Sequence, residues 1–444
     1  MTIMRLFPFT KIVCSFSFCL FLLGNNANGQ DTVLTFEQAI TIALENNFDI
    51  RIAGNDLSKQ ELYNHAGEAG MLPDINVDAA YNRANNSTNQ KYSNGDQVDR
   101  NNARSENLNA SLSLGWTIFD GTKMFSTKRR LNELSTQSAI SLKIQMEDVY
   151  LEVIRAYFEI AREQQLLKSI KEEIQLGRER VSIAERRLSN GSGSKLDVLH
   201  AKTDLNSRLS AEMTQISLIK SLSIDLNKLM ARSLETNFVV EDSIKLVFSG
   251  SIEEIKNKSK ESNHFRSYYR KQLLISNLAL KESIADRWPR IQLNGSYNFS
   301  NAENEAGFIR TNKNQGFSYG ITAGLPLFNG FRISKNVKAA RLDVLNARLE
   351  LEQAELAIDA DIIKAFQEYK DQLAILKLEE ENILSAREIL IISQERFRSG
   401  LSGIIELKEV QRSYEEAMTR LVDARFEAKL SESNLMRLSG LLIQ

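Results

Sequence analysis

Leu108-Asn-Ala-Ser-Leu-Ser-Leu-Gly-Trp-Thr-Ile-Phe-Asp-Gly121 and Phe317-Ser-Tyr-Gly-Ile-Thr-Ala-Gly-Leu-Pro-Leu-Phe-Asn-Gly330 decide the fold. In the first, Leu108, Ala110, Leu112, Leu114, Trp116 and Ile118 alternate with small polar residues. In the second, Phe317, Tyr319, Ile321, Ala323, Leu325 and Leu327 keep the same period. A period of two puts successive side chains on opposite faces, so each run is a strand with one apolar and one small polar face. Two shorter runs follow prolines: Ile75, Val77, Ala79 and Tyr81 after Pro73, and Ile291, Leu293, Gly295, Tyr297 and Phe299 after Pro289. Proline lacks an N–H and suits the first residue of a strand, so Pro73 and Pro289 read as strand-opening prolines. The expected strands are residues ~74–82, ~108–119, ~290–300 and ~316–328. The Asn-, Ser- and Gly-rich stretches 82–107 and 301–315 read as solvated hairpin loops. Trp116, Phe119, Trp288 and Phe328 gather near strand ends, in the manner of a membrane aromatic girdle.

The two quoted stretches are copies of one another. Gly115 matches Gly324, 209 residues on, and the same offset pairs Gly191 with Gly400, Ser194 with Gly403, Asp197 with Glu406 and Leu229 with Leu438. Upstream the offset is 216, pairing Phe36 with Ile252, Asn47 with Asn263 and Pro73 with Pro289. The difference falls between Pro73 and Gly115, where a hairpin absorbs it. The chain therefore divides into a leader at 1–29, a first repeat at 30–250 and a second at 251–444.

Four strands with an apolar face cannot stand alone in lipid, where each unpaired backbone edge costs several kcal/mol. Closed barrels need about eight strands or more. An oligomer must supply the rest.

The intervening segments are helices too long for a globular core. From Phe331 to Ser399 there is neither glycine nor proline, ~100 Å of helix at 1.5 Å per residue. Its counterpart over 122–190 holds only Gly177. Shorter helices are expected over ~36–72, 194–237, ~252–287 and 404–440. Val337, Ala340, Val344, Ala347, Leu351, Ala354 and Ile358 step by three and four, as in a coiled coil. Small seam residues and mixed charge elsewhere, such as Glu379, Glu380 and Glu381, suit a helical wall with a wet face. The fold class is thus an α+β membrane protein, four strands per chain continued by a long coiled-coil barrel. Gly191 and Gly400 end the long helices, with Ser194 and Gly403 capping the next ones, at the end farthest from the strands.

Basic and acidic residues, 56 and 57, nearly cancel, so no field for nucleic acid exists. Arg5 and Lys11 precede an apolar run, Ile12–Leu23, with Ala27 and Gly29 behind it, which reads as a secretory signal cleaved near Gly29. Both cysteines, Cys14 and Cys19, lie in that run without a lipobox, so lipidation is not expected and the mature chain has no thiol chemistry. His65, His200 and His264 show no ligand spacing, and no phosphate loop or nucleophile elbow occurs. No enzyme activity, cofactor or metal is expected.

The paired turns, paired proline-led hairpins and duplicated helices together resemble the TolC-type outer-membrane factor (outer membrane efflux protein) family across the mature chain. That family's tip pattern is a glycine, a small residue three on, then an acidic or polar residue with apolar neighbours. Gly191, Ser194, Asp197, Val198 and Leu199 match it, and Gly400, Gly403, Glu406 and Leu407 match it more loosely. The resemblance implies a homotrimer with a twelve-stranded barrel in outer-membrane lipid and a periplasmic helical tunnel. It also implies that the tips dock on a periplasmic adaptor (membrane fusion) protein of an inner-membrane RND or ABC transporter, for efflux or type I secretion. The family closes its tunnel with acidic or polar rings near the tips. Here Ile389–Arg396 holds only Glu395, so no gate carboxylate is assigned. The alternative reading is a periplasmic coiled-coil adaptor or structural protein that never enters the membrane.

Overall fold

The computed structural model describes residues 32–399 and 401–442. The expected leader and Gly400 lie outside the described residues. In chain order the elements are β1 (Thr32–Leu34), α1 (Phe36–Asn46), α2 (Phe48–Tyr63), β2 (Asp74–Lys91), β3 (Gln97–Phe119), α3 (Lys123–Ser189), α4 (Lys195–Leu229) and β4 (Phe238–Val240). Then come α5 (Ile252–Ser262), α6 (His264–Ala285), β5 (Arg290–Asn304), β6 (Thr311–Gly324), α7 (Arg332–Arg398) and α8 (Ile404–Ser439).

The strands β2-β3-β5-β6 form one antiparallel sheet. Its register aligns Val77, Leu112, Tyr297 and Phe317 in one apolar row across all four strands. The adjacent row, Asp78, Ser111, Asn298 and Gly316, points the other way. On that polar face Ser296 and Ser318 share a hydrogen bond of 2.8 Å, and Asn294 donates to Thr322 at 3.0 Å.

The sheet corrects the expected loops. The first hairpin stays in strand to Lys91 and resumes at Gln97, so only residues 92–96 turn; in the second, residues 305–310 do. Polar composition misleads here because the backbone ladder does not need apolar side chains outside lipid. Asn89 and Asp99 pair across it at 3.1 Å. The fourth strand begins early, at Thr311, and stops at Gly324 rather than near residue 328. Pro326 has no N–H with which to continue the ladder. Pro73 and Pro289 immediately precede β2 and β5.

The long helices α3 and α7 each span 67 residues. Both leave the sheet through two successive left-handed residues, Gly121–Thr122 and Gly330–Phe331. At Gly121 (φ +73°) a Cβ would come within 2.6 Å of the Ala285 carbonyl oxygen, so glycine alone fits.

The helices expected over ~36–72 and ~252–287 are each broken in two. Asn47 ends α1 and caps α2, its side chain accepting from Asp49 N–H at 2.9 Å while its amide donates to the Leu229 carbonyl at 2.9 Å. Asn263 does the same between α5 and α6, accepting from Arg266 N–H and donating to the Leu438 carbonyl, both at 3.0 Å. Asparagine competes for backbone hydrogen bonds, which stops one helix and starts the next. The helix expected over 194–237 ends at Leu229, and β4 then pairs in parallel with β1. That small sheet lies on α3, where Tyr157 donates to the Leu34 carbonyl at 2.8 Å and packs with Phe36 and Phe158. Glu379, expected to face water, instead meets Arg420 of α8 at 3.2 Å.

Candidate functional site

The helical tips lie at the far ends of α3 and α7, some 100 Å from the sheet at 1.5 Å per residue. The first turn is a Schellman closure. Ser192 N–H donates to the Arg187 carbonyl at 2.9 Å and Gly191 N–H to the Leu188 carbonyl at 3.1 Å, with Gly191 at φ +71°. Ser194 then caps α4 in a reciprocal box: its hydroxyl accepts from Asp197 N–H, and the Asp197 carboxylate accepts from Ser194 N–H, both at 3.1 Å. In the second turn Leu401 N–H donates to the Arg396 carbonyl at 2.8 Å, and Gly403 caps α8 without a side chain. Glu406 makes no such box and faces Arg396 at 3.5 Å.

Hydrogen bonds from the Ser194 hydroxyl and backbone N–H hold the Asp197 carboxyl below the ordinary aspartate range, helped by the charges of His200 and Arg187. A depressed carboxyl stabilises the fold above its ordinary pKa and loses that contribution as pH falls through the depressed value. Amide protection in the first turn of α4 is therefore expected to hold from neutrality down to the ordinary aspartate range and to fall only in stronger acid. Asp197→Asn should weaken it from neutrality down to the acid range in which Asp197 itself protonates, read by hydrogen exchange; an unchanged profile would remove the carboxylate from the cap.

The two tips touch. The Arg187 guanidinium stacks over Phe397 at 5.1 Å and donates to its carbonyl at 3.4 Å. Arg180, Ala184, Asp197, Phe397 and Ile404 line the cleft between them. Val198 and Leu407 are buried beneath the turns. Leu196 and Ile405, which the 209-residue offset also pairs, are 62% and 81% exposed, with Leu401 at 74%. These apolar residues escaped the sequence reading, although Leu196 sits two residues past a cap, where a helix's apolar seam ordinarily begins.

At the sheet, Trp116, Phe119, Trp288 and Phe328 all fall at the helix-facing rim. Phe119 pairs with Ile291 at the start of β5, Trp288 precedes that strand and Phe328 follows β6. Trp116 donates its indole N–H to the Met71 carbonyl at 2.9 Å. The opposite rim holds Tyr92 stacked edge-on against Phe308 at 4.9 Å. Among the described residues no helix is long and apolar enough to cross a membrane. His264 meets the buried Glu147 at 2.8 Å, with neither His65 nor His200 nearby in sequence or bonded to it.

A family model described as outer membrane efflux protein matches residues 39–232 and 280–441. The outer membrane protein TolC of Vibrio cholerae is 22% identical over 387 residues, 85% of this chain and 84% of that protein. Protein CyaE of Bordetella pertussis is 22% identical over 316 residues, 70% and 66% of the two chains. The crystal structure of the CmeC outer membrane channel of Campylobacter jejuni shares the fold, with a TM-score of 0.76 at 16% identity over 92% of this chain and 86% of that one.

Proposed function

This chain belongs to the outer membrane efflux protein family, and we propose that three copies of it close a passive duct through the outer membrane and periplasm. The carrying observation is the sheet. It has a continuous apolar row, a facing polar row, and two outer edges, on β2 and β6, that no other strand among the described residues covers. Open edges are excluded from lipid, so β2 of one copy pairs with β6 of the next. Three copies give twelve strands, enough for an aqueous lumen. The polar row lines that lumen, and Trp116, Phe119, Trp288 and Phe328 form its girdle at the periplasmic rim. The 67-residue helices extend the wall as a tunnel.

The repeats at 30–250 and 251–444, behind a cleaved leader at 1–29, would make the trimer's wall pseudo-sixfold. The matched hydrogen bonds Asn47 to Leu229 and Asn263 to Leu438 support this reading, as do the matched left-handed junctions into α3 and α7. At the tips, Gly191, Ser194, Asp197, Gly403 and Glu406, together with Gly400 of the second motif, would be the residues that dock on a periplasmic adaptor protein, which joins the duct to an inner-membrane RND or ABC transporter. Opening uncoils these tips. The chain itself performs no catalysis, and the pump selects the cargo.

The reading is checked by purification and conductance. Expected are detergent extraction from outer membranes, a mass of three chains, and narrow conductance that widens when adaptor is added. Recovery from the periplasm without detergent would overturn the duct, and a wide pore without adaptor would overturn the tip gate.

A further inference from the structure

About 27 Å along α3 from the turn at Gly191, at 1.5 Å per residue, the four long helices enclose a charged cavity of about 210 Å³. Arg208 of α4 stands at its centre. One amino group lies 2.9 Å from Glu173 of α3, and the other donates to both carboxylate oxygens of Glu415 of α8, at 2.7 and 2.8 Å. Glu173 Oε2 contacts Arg208 in a geometry that makes no hydrogen bond, and Arg180 Nε beside it has no partner. Two carboxylates thus crowd one guanidinium inside the bundle, where like charges repel strongly.

We propose that Glu173 and Glu415 are a proton-binding pair that ties α3 to α8, and that losing the shared proton loosens the tip end of the bundle. With the proton present, the neutral Glu173 carboxyl donates to the Glu415 carboxylate, and Arg208 neutralises the single remaining charge. Without it, two carboxylates face one another across helices that belong to different repeats, with one guanidinium between them. The other charged and titratable groups facing the pair are Glu172 and Arg180 of α3, Asp204 of α4, Arg387 of α7 and Tyr414 of α8. Asp204 is occupied from outside the cavity by Lys408 at 2.9 Å and approaches Arg180 at 4.0 Å, so it supplies no second base to the pair.

Burial raises Glu173, and the charge of Glu415 raises it further against the pull of Arg208, to about 7. A raised carboxyl favours the packed helices while protonated. That contribution is complete below the ordinary glutamate value, declines as pH rises from there towards neutrality, and is absent above it. The packed arrangement loses up to about three hundredfold in its equilibrium across that window, a tenfold change for each pH unit between the two values. The consequence for transport rests on the duct reading: an acidifying periplasm would hold the tips shut.

The experiment uses the full chain with spin labels at Leu196→Cys and Ile405→Cys, the mature sequence having no other cysteine. Distances between the labels are followed from pH 5.5 to 8.5 by electron-electron resonance. The expected result is a short, narrow distribution in acid that broadens with a midpoint near neutrality. Glu173→Gln, which mimics the protonated form, should hold the acid distribution at every pH. Glu415→Gln removes the neighbouring charge and should move the midpoint to lower pH, which a merely structural glutamate would not do. A distribution that does not change with pH, or one that still titrates in Glu173→Gln, overturns the proton pair. Conductance of the same samples separates the two claims. Failure to form any pore overturns the duct, whereas a pore indifferent to pH with titrating labels limits the pair to local packing and overturns its part in opening.

Discussion

Replacing Leu196 and Ile405 together by aspartate is expected to reduce export to background while the trimer still reaches the outer membrane. Both side chains are largely exposed, at 62% and 81%, so neither substitution opens a cavity in the bundle. Both stand two residues past a cap, next in sequence to Asp197 and Ile404, which line the cleft between the tips. Burying a leucine or isoleucine against a partner is worth about 1.5–3 kcal/mol each. A carboxylate forced into the same apolar contact adds a desolvation cost. The proposed trimer would present six such positions, so the loss would multiply around the ring. Export measured against surface trimer level should fall by at least about a hundredfold, since each 1.4 kcal/mol is tenfold. The same pair of substitutions at Phe308 and Ile309, exposed at the opposite end, is the control and should leave export intact. Normal export by the tip variant would show that these leucine and isoleucine side chains do not hold the adaptor.

Glu432→Ala is expected to destabilise the helical wall strongly. Glu432 is 0% exposed in α8. One oxygen accepts the backbone N–H groups of Val247 at 2.5 Å and Phe248 at 2.6 Å; the other receives the Lys429 ammonium at 2.7 Å. These contacts pin the extended segment before α5 onto the helical wall, where Tyr369 donates to the Phe248 carbonyl at 2.9 Å. Alanine leaves two partly buried N–H donors without their acceptor and leaves the largely buried Lys429 ammonium with only the Lys245 carbonyl at 3.0 Å, a loss of about 2–4 kcal/mol. Denaturant unfolding of the purified protein should show it as a lowered midpoint. Glu432→Gln keeps one acceptor oxygen and should recover part of the loss; equal loss in both would mean that charge, not hydrogen bonding, holds the segment.

Much of the architecture was legible because its signals are local. Alternation at Leu108–Ile118 is a property of neighbouring residues, and so is the absence of helix breakers from Phe331 to Ser399. The breaks at Asn47 and Asn263 were not legible. Each depends on a carbonyl, at Leu229 or Leu438, that lies over 170 residues away in sequence. The hairpin lengths were misread for a related reason. Asn- and Ser-rich segments can be loop or ladder, and the partner strand decides between them.

The tips divide in the same way. Gly191, Ser194 and Asp197 are close in sequence, and their spacing alone anticipates the turn and its cap. That Leu196 and Ile405 are exposed, or that Arg187 stacks on Phe397, follows from how α3 and α7 meet. By itself the sequence determined the strand period, the lengths of the two longest helices and the chemistry of the first tip turn, since backbone geometry repeats over a few residues. Only the tertiary structure decided which charges share a cavity. Glu173, Arg208 and Glu415 come from three helices, and a carboxylate's charge state depends on its burial and neighbours in space rather than in sequence.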